Sequence, residues 1–349
     1  MAVQSAQILS QDELAAKLAE QPRVELGTFP TPLDACPRLS EAVGGPPIYI
    51  KRDDLTGLAL GGNKTRNLEF QLGSALAQGC DSVVAGADTQ SNQCRQASAA
   101  CAKVGLECFL VLAGGLHNDV QGNLLLDHIF GANVTVLEDV NIDGLQARID
   151  PIEAELRAQG RKPYRITSMY PEPALRAMCG YLSCALELST QLDSLPNPPS
   201  TVFITSGSGT THAGFAAGIK VLGLPIKVVG ITIKEPADEQ RETVAARSQR
   251  LAEQLDIPCG LSADEVHVSD DYLGAGYGAV TDEGMEAIRL TAQLEGILLE
   301  PVYTGKTMSG VINMARNGDL PPDQPVIMVH TGGIPALFAY HEEMMAALS

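Results

Sequence analysis

Lys64 follows Gly61, Gly62 and Asn63 at a point where a glycine turn leads into a helix pattern. A cation at a helix N-terminus is electrostatically unfavourable, because the backbone dipole already makes that end positive. A purely structural role is therefore less common for a lysine at this position than elsewhere. If burial lowers the pKa of the amine, the neutral side chain can act as a nucleophile or form an imine. The local pattern fits a reactive amine and a solvated surface charge equally well.

A second chemical pattern lies in residues 204–215, where an apolar strand leads into a Gly/Ser/Thr loop and then a helix. Free backbone N–H groups in such a loop, together with the helix N-terminus, bind anions, most often phosphate. The loop lacks the Lys of a Walker motif, and the first βα turn of the chain lacks the GxGxxG dinucleotide fingerprint. The segment predicts a phosphate site, with a plain βα turn as the alternative.

Ser91, Asn92 and Gln93 repeat this arrangement after the apolar strand that ends near Ala87. A serine hydroxyl and backbone amides at a helix start suit a carboxylate ligand. Ser91 fits the role of a plain N-cap equally well. We interpret Arg95, inside the following helix, as a structural residue.

Two tyrosines and a threonine stand in glycine-flanked turns of the C-terminal half. Tyr277 and Tyr303 each precede a helix pattern and are candidates to present a phenol to an active site, although packed loop aromatics are more common there. Thr331 ends a core strand, and hydroxyls at the carboxyl end of a parallel strand face the ligand crevice of an open α/β sheet.

The elements that must position these residues are apolar strands alternating with amphipathic helices. This order predicts parallel strands joined by crossover helices. Residues 67–178 contain one complete series of such units, and the later strands can join residues 1–66 in a second sheet. We therefore expect two α/β domains, 67–178 and 1–66 with 179–349, and a ligand cleft between them.

Composition limits the classes of partner and location. The 349 residues include 42 acidic and 24 basic side chains, a formal net charge of −18, which argues against nucleic acid or anionic lipid as the main partner. The N-terminal segment has no signal-peptide pattern, and no apolar run is long enough to span a membrane. Eight dispersed cysteines without a CxxC pair indicate reduced thiols in a cytoplasmic protein, and histidine spacing gives no metal site.

Taken together, five segments occur in a specific order: "IYIKRDD…GGNKTR.LEF", "QSNQ.RQ", "TSGSGTTHAGF", "GYG…EGMEAIRL…EGILLEPVYTGK" and "HTGG.PALFAY". This set resembles the D-cysteine desulfhydrase and 1-aminocyclopropane-1-carboxylate deaminase family of pyridoxal-phosphate enzymes, over residues 22–340. The resemblance implies the tryptophan-synthase-β-like fold (fold type II): two three-layer α/β domains with mostly parallel sheets. It further implies that residues 1–66 and 179–349 form the large cofactor-binding domain and 67–178 the small substrate-side domain, usually in a homodimer.

The resemblance also assigns roles to individual residues. Lys64 matches the lysine that binds pyridoxal phosphate covalently, Asn92 the contact to the ring oxygen, and Thr331 the residue facing the ring nitrogen. Ser91 and Gln93 match the substrate-carboxylate pair, and Tyr277 and Tyr303 the active-site tyrosines. The phosphate cradle corresponds to the six loop residues Ser206, Gly207, Ser208, Gly209, Thr210 and Thr211. The implied catalytic group is Lys64, Ser91, Tyr277 and Tyr303.

Some positions separate the two activities of the family. Thr304 and Thr331 follow the desulfhydrase pattern, since the deaminases usually carry glutamate and leucine there, whereas Gln93 follows the deaminases. Asn67 replaces a second lysine that is common in the family, which removes a possible counter-charge for the phosphate.

The loop that in the family places small residues near the substrate is here replaced by bulkier residues. Met169, Tyr170 and Arg176 stand in this segment. We expect Arg176 to contact substrate if the substrate carries a second anionic group, such as a sulfonate, and to point to solvent otherwise.

These observations predict a pyridoxal-phosphate lyase that catalyses α,β-elimination on a small amino acid. D-Cysteine, giving pyruvate, ammonia and sulfide, is the leading substrate, and L-cysteate, releasing sulfite, is a related one. The alternatives are a 1-aminocyclopropane-1-carboxylate deaminase and a non-catalytic amino-acid- or cofactor-binding protein on the same fold. The chemistry is the electron withdrawal that pyridoxal phosphate supplies.

Overall fold

The computed structural model describes residues 8–140 and 144–348. The strands of these residues, in chain order, are β1 Leu33–Ala35, β2 Ile48–Lys51, β3 Ser82–Asp88, β4 Glu107–Ala113, β5 Asn133–Leu137, β6 Pro163–Ile166, β7 Thr201–Ser206, β8 Lys227–Thr232, β9 His267–Ser269 and β10 Val326–Val329.

The α-helices of the same residues flank these strands. They are α1 Gln11–Ala19, α2 Pro37–Val43, α3 Lys64–Ala77, α4 Asn92–Val104, α5 Gly122–Ile129, α6 Gln146–Ala158, α7 Pro171–Gln191, α8 Thr210–Val221, α9 Ala237–Leu255, α10 Asp282–Glu295, α11 Thr304–Arg316, α12 Ala336–Ala339 and α13 His341–Leu348. Short 3₁₀ turns cover Asp53–Leu55, Leu58–Leu60, Leu192–Ser194 and Ala263–Glu265.

The described strands form two sheets. One has six strands in the order β1-β2-β10-β7-β8-β9, and the other has four in the order β5-β4-β3-β6. Every pair is parallel except β1 with β2, which is antiparallel. Parallel pairs need crossover connections, which the intervening helices supply.

Side-chain alternation along the strands shows why each sheet is covered on both faces. In β7, Val202 and Ile204 pack into the core formed with α7 and α8, whereas Phe203 packs into the core on the opposite face. In β3, Val83 and Val84 likewise enter separate cores. Because successive residues of a strand point to opposite faces, both sheets lie between two apolar layers. The predicted α/β fold with mostly parallel, three-layer packing is confirmed.

Two details differ from the sequence prediction or extend it. The strands β1 and β9, of three residues each, were not predicted, since their sequences carry no apolar run. The predicted domain limits at 66/67 and 178/179 fall inside α3 and α7, while β3 to β6 form a sheet of their own. The division into domains stays a prediction, and residues 1–7, 141–143 and 349 lie outside the described part.

The helices α3, α7 and α8 pack closely against one another. A Cβ atom placed on Gly180 of α7 would lie 2.5 Å from the Arg66 carbonyl oxygen of α3. A Cβ on Gly214 of α8 would collide with the Met178 carbonyl oxygen of α7. The absent side chains let the backbones meet, so α7 holds the start of α3 and the start of α8 at a fixed separation.

A buried ionic network fixes the first turn of α3. The Arg66 guanidinium bonds Asp53 at 2.8 Å and Glu187 at 2.9 Å, and Lys51 also pairs with Glu187. Tyr181 donates its hydroxyl to Asp53 at 2.7 Å. Burial alone would raise the pKa of the Asp53 carboxyl, but the Arg66 charge and hydrogen bonds hold it below its usual range. This network joins β2, α3 and α7.

All eight cysteines carry free thiols and are buried. Burial raises the pKa of the Cys36, Cys179 and Cys259 thiols to about 12. In the described part of the chain, no helix has the length and hydropathy needed to cross a bilayer.

Candidate active site

A cavity of about 820 Å³ opens where the carboxyl ends of strands from both sheets face each other. Its volume is in the range of small-molecule sites. The structure brings together, along its wall, twelve residues singled out from the sequence: Lys64, Ser91, Asn92, Gln93, Gly207, Ser208, Gly209, Thr210, Thr211, Tyr277, Tyr303 and Thr331. Asn67 and Met169 also line it.

Lys64 is the first residue of α3, and its side chain reaches the cavity. Burial lowers the pKa of its amine to about 8. A neutral fraction is therefore present near neutral pH, as a nucleophilic amine requires. The alternative interpretation from the sequence, in which Lys64 is a solvated surface charge, does not agree with this placement.

Asn63 ties together three turns of the site. Its backbone N–H donates to the Thr331 carbonyl oxygen at 3.0 Å, and its side-chain amide donates to the Thr211 hydroxyl at 3.2 Å. The turn before Lys64, the turn after β10 and the start of α8 are thereby held in one arrangement. The backbone at Lys64 is thereby positioned against both neighbouring turns through Asn63.

The loop before α8, residues 207–211, forms a cradle of backbone groups. A side chain at Gly209 would fill this cradle. Gly209 has φ +83°, and a Cβ atom there would lie 3.2 Å from Thr243 and 3.4 Å from Arg247. A side chain at this position would be strained and crowded, so the backbone N–H groups at the start of α8 stay accessible.

Arg247 brings a positive charge to this cradle from α9. It lines the cavity and donates from Nη1 to the Ser168 carbonyl oxygen at 2.9 Å, and its buried Nε has no partner among the described residues. Burial, with a smaller effect of Arg250, lowers its pKa. A guanidinium keeps its charge, and this one has a donor free for an anion at the loop. Arg247 could therefore supply, from another helix, the counter-charge that Asn67 does not carry.

Ser91 and Gln93 stand at the N-terminus of α4. Ser91 is the N-cap, and its hydroxyl oxygen accepts from the Cys94 N–H at 3.3 Å while the side chain lines the cavity. The Gln93 amide nitrogen is buried and has no partner in the described part of the chain. The N-cap and ligand roles of Ser91 are compatible, and a carboxylate at this turn would meet unused donors.

Asn92 is oriented by a neighbour on α5. The Asn123 amide donates from Nδ2 to Asn92 Oδ1 at 3.0 Å and to the Gln90 carbonyl oxygen at 2.6 Å. With its oxygen thus occupied, Asn92 turns its Nδ2 toward Gly333, in the turn after Thr331. Asn92 is therefore arranged to donate into the cavity.

The two tyrosines contact each other and a carboxylate. The Tyr277 and Tyr303 hydroxyl oxygens are 2.6 Å apart, and Tyr277 donates to Asp88 Oδ2 at 2.9 Å. Burial raises the pKa of both phenols, so both stay protonated at neutral pH. Asp88 lines the cavity at the last position of β3.

Glu300 positions Tyr303. Its carboxylate accepts from the N–H groups of Val302, Tyr303 and Thr304 at the start of α11, at 2.8, 3.0 and 2.7 Å. Burial raises the pKa of this carboxyl to about 7. The Thr304 hydroxyl bonds Glu300 and does not line the cavity, so Thr304 has no direct access to a ligand there.

Two predicted site residues are not brought to the cavity. Arg176 pairs with Glu172 at 3.0 Å and donates to Gln21 at 2.6 Å, whereas its neighbour Ala177 lines the wall. Arg176 therefore faces the outer side of α7, and its conditional contact with a second anionic group of the substrate stays a prediction. The Ser206 hydroxyl is buried against His212 and Gln240, which leaves the cradle to residues 207–211.

Tyr170 also lies outside the cavity wall. Its hydroxyl accepts from Arg165 at 2.9 Å, and its ring lies against the same guanidinium. Of the bulky residues expected near the substrate, the structure brings only Met169 to the wall.

Comparison with known proteins gives the family. The pyridoxal-phosphate dependent enzyme family matches residues 24–332. The chain belongs to this family. Its cofactor is pyridoxal phosphate, as the resemblance implied.

Relatives within the family include D-cysteine desulfhydrases. The one from Salmonella newport (strain SL254) is 40% identical over 329 residues, 93% of this chain and 98% of the relative, and one from Salmonella paratyphi A is 41% identical. A solved structure described as an ACC deaminase homologue superimposes with a TM-score of 0.86 at 35% identity, covering 96% of this chain and 98% of that one. Escherichia coli diaminopropionate ammonia lyase, at 15% identity and a TM-score of 0.66, shares the fold.

The residues present fit the family cofactor. Lys64 would supply the amine for its aldehyde, the 207–211 loop and Arg247 Nε would supply donors for its phosphate, and Asn92 would supply a donor from the side of the Thr331 turn. In the described ranges, no group of three or more His, Cys, Asp or Glu side chains is arranged to hold a metal ion.

Sequence reasoning missed several residues that shape the site. Asp88 carried a usable signal, since a carboxylate at the carboxyl end of an apolar strand faces the ligand crevice. Arg247 carried none, because it lies in a polar helix 36 positions beyond the loop it approaches. Asn63, Asn123 and Glu300 act by orienting other side chains, which a single sequence does not reveal.

Proposed function

We propose that the protein catalyses α,β-elimination on a small amino acid with a sulfur leaving group, and that D-cysteine is its substrate. The products would be pyruvate, ammonia and sulfide. The observation that carries the proposal is the lowered pKa of Lys64 at a cavity shared with a carboxylate-type turn, a phosphate-type cradle and two hydrogen-bonded tyrosines. The likeness to D-cysteine desulfhydrases over nearly the whole chain supports it.

Different described residues would carry out different steps of such a reaction. The α4 N-terminus, with Ser91 and Gln93, would hold the substrate carboxylate and so fix the Cα–H bond relative to the Lys64 amine. Bound pyridoxal phosphate supplies the electron withdrawal that makes this hydrogen acidic. Lys64, once released from the cofactor, would accept the proton at its Nζ. Tyr303 and Tyr277 would face the leaving group.

Thr331 sets the electronic environment of the cofactor ring. A hydroxyl next to the ring nitrogen leaves that nitrogen uncharged, unlike a carboxylate. The electron withdrawal is then weaker, which suits elimination of a good leaving group such as a thiolate. Thr331 lines the cavity, in agreement with this role.

Two other substrates are weaker candidates. The ACC deaminase homologue supports ring opening of 1-aminocyclopropane-1-carboxylate, but Thr331 follows the desulfhydrase pattern. L-Cysteate would need a counter-charge for its sulfonate, and Arg176 is turned away from the cavity. Arg247 is engaged at the phosphate cradle.

The test combines colour and turnover. We expect the purified protein to be yellow with bound cofactor and to form 2-oxo acid and sulfide from D-cysteine, in preference to L-cysteine, L-cysteate and 1-aminocyclopropane-1-carboxylate. Lys64→Ala should abolish turnover and the visible absorption of the lysine-bound cofactor, since no other amine replaces Nζ.

Lys234→Ala is the matched control, because Lys234 also lines the cavity but pairs with Glu235. It should keep the colour and most of the turnover. A wild-type protein that stays colourless with added pyridoxal phosphate would refute the proposal. A yellow protein without lyase activity on any of these amino acids would favour a binding function.

We also propose a homodimer in the cytoplasm. Exposed apolar side chains cluster around α5, the preceding loop, α12 and α13, with Leu116 at 72%, Ile129 at 65% and Phe338 at 65% exposure. An apolar surface of this kind is typical of a subunit interface. Free buried cysteines are typical of a reducing compartment.

A further inference from the structure

Asp88 is a carboxylate in the cavity to which the proposed elimination assigns no role. Its Oδ1 accepts from the Gln90 N–H at 3.0 Å, and its Oδ2 accepts from the Tyr277 hydroxyl at 2.9 Å. Both oxygens therefore act as hydrogen-bond acceptors, as an ionised carboxylate does.

The described side chains that face Asp88 directly are weak acids. The titratable groups facing it are Tyr277 from the loop after β9, Tyr303 at the start of α11, Tyr340 after α12 and Cys94 on α4. Among the described residues, no lysine, arginine or histidine contributes a charge that stabilises this carboxylate. A partly buried carboxylate without a counter-ion is unfavourable, so a cation from a ligand would complete the site.

The hydrogen bonds also fix the direction of the tyrosine protons. Tyr277 has one hydroxyl hydrogen, and Asp88 accepts it. The 2.6 Å contact with Tyr303 must then be a bond in which Tyr303 donates and Tyr277 accepts. The remaining lone pair of Tyr303 is free to accept a hydrogen bond from a molecule in the cavity.

We propose that Asp88, acting through Tyr277 and Tyr303, accepts a proton from the ammonium group of the incoming amino acid. The N–H bond of the ammonium breaks and an O–H bond forms on Tyr303, whose own proton passes to Tyr277. The Tyr277 proton passes to Asp88 Oδ2. The products are a neutral amine and a protonated carboxyl group, so one positive and one negative charge are cancelled, and the proton later returns to solvent through the open cavity.

This inference rests on the proposed function, since every amino-acid substrate enters as an ammonium ion and must become a neutral amine to react with an aldehyde. The substrate carboxylate is held at Ser91 and Gln93, in the turn that begins three residues after Asp88. The relay therefore starts beside the place where the substrate is anchored. Burial raises the pKa of Asp88, which makes it a better proton acceptor than an ordinary aspartate.

The experiment measures the first contact with substrate apart from turnover. Holoenzyme is mixed with D-alanine or L-alanine, which have no β leaving group, and the rate of the change in visible absorption is followed from pH 6 to 10. Asp88→Asn should slow this rate about 10²-fold near pH 7. The rate should recover toward the wild-type value as pH approaches the pKa of the free amine, because the substrate then arrives already neutral.

Two variants give the comparison. Tyr277→Phe breaks the same relay and should show the same pH-dependent loss, with the double variant no slower than either single one. Glu239→Gln removes a cavity carboxylate that is exposed and does not bond the tyrosines, and it should follow the wild type.

The possible results distinguish a failure of the proton relay from a failure of the proposed function. A loss that is equal at all pH values, or no loss in both Asp88→Asn and Tyr277→Phe, would overturn the relay. An equal change in Glu239→Gln would show a general effect of cavity charge and would also overturn it. A wild-type holoenzyme that gives no spectral change with either alanine and forms no 2-oxo acid from D-cysteine would instead refute the proposed function itself. If only the alanines fail to react, the same pH series is measured with D-cysteine.

Discussion

At the scale of single residues, the site depends on two basic side chains that reach one cavity from different helices. Lys64 begins α3 and Arg247 lies in the middle of α9, and burial lowers the pKa of both. For the lysine this makes a neutral nucleophile accessible. For the arginine the charge persists, so the consequence is a strong and poorly solvated donor near the phosphate cradle.

Arg247→Gln should weaken cofactor binding by about 10- to 100-fold, since a charge-assisted hydrogen bond to phosphate contributes about 1.5–3 kcal/mol. The dissociation constant of pyridoxal phosphate for the apoprotein, measured by absorbance titration, checks this. Inorganic phosphate should also compete less well in the variant. Arg250→Gln, an exposed position on the same helix, is the control and should bind normally. Unchanged affinity in Arg247→Gln would show that the guanidinium does not reach the phosphate.

At the scale of elements, the position of the reactive lysine is set by helix packing. α7 touches the first turn of α3 at Gly180, and the Arg66–Asp53–Glu187 network joins the same turn to β2 and α7. The first residues of α3 are therefore held by backbone contact on one side and by ions on the other.

Gly180→Ala should destabilise the protein, because the added Cβ would lie 2.5 Å from the Arg66 carbonyl oxygen and α3 would have to move. A cost of about 1–3 kcal/mol is typical of overpacking. Helix propensity alone predicts the opposite sign, a gain of roughly 1 kcal/mol. Chemical denaturation gives the sign directly. Ser183→Ala, on the same helix and partly exposed, is the control, and stabilisation by Gly180→Ala would contradict the close contact.

The secondary-structure elements also show how much of the fold and of the site the sequence alone could predict. The apolar runs of β3, β4, β7 and β8 predicted a parallel α/β fold. The strand–loop–helix turns indicated the cavity residues, because such turns meet at one edge of a sheet. The sequence could not show whether Arg176 faces the cavity, because helix phase decides which of two neighbouring residues does, and Ala177 lines it. Arg247 and Asn123 come from distant segments, and only the packing of α9 and α5 brings them in.

At the scale of the whole molecule, the net charge of −18 and the apolar surface around α5 and α12 act in opposite directions on self-association. Like charge keeps copies apart at long range, whereas apolar contact holds them once they meet. The proposed dimer follows if the apolar surface dominates.

Phe338→Glu should convert the dimer to a monomer, because it places a charge at an apolar interface from which water is excluded. Sedimentation velocity measures the mass directly. Leu76→Glu, a partly exposed apolar residue on α3, is the control and should leave the mass unchanged. If wild type and Phe338→Glu both sediment as dimers, the interface lies on another surface.

The burial of all eight thiols has a consequence for the enzyme's lifetime under the proposed reaction, which releases sulfide. Polysulfides, which form when sulfide is oxidised, modify proteins at accessible thiolates, and cystine exchanges with such thiolates. Burial encloses all eight thiols and raises the pKa of Cys36, Cys179 and Cys259, so these oxidised species meet few accessible thiolates. Core packing alone would then protect the protein's thiols from modification, without any dedicated protective group.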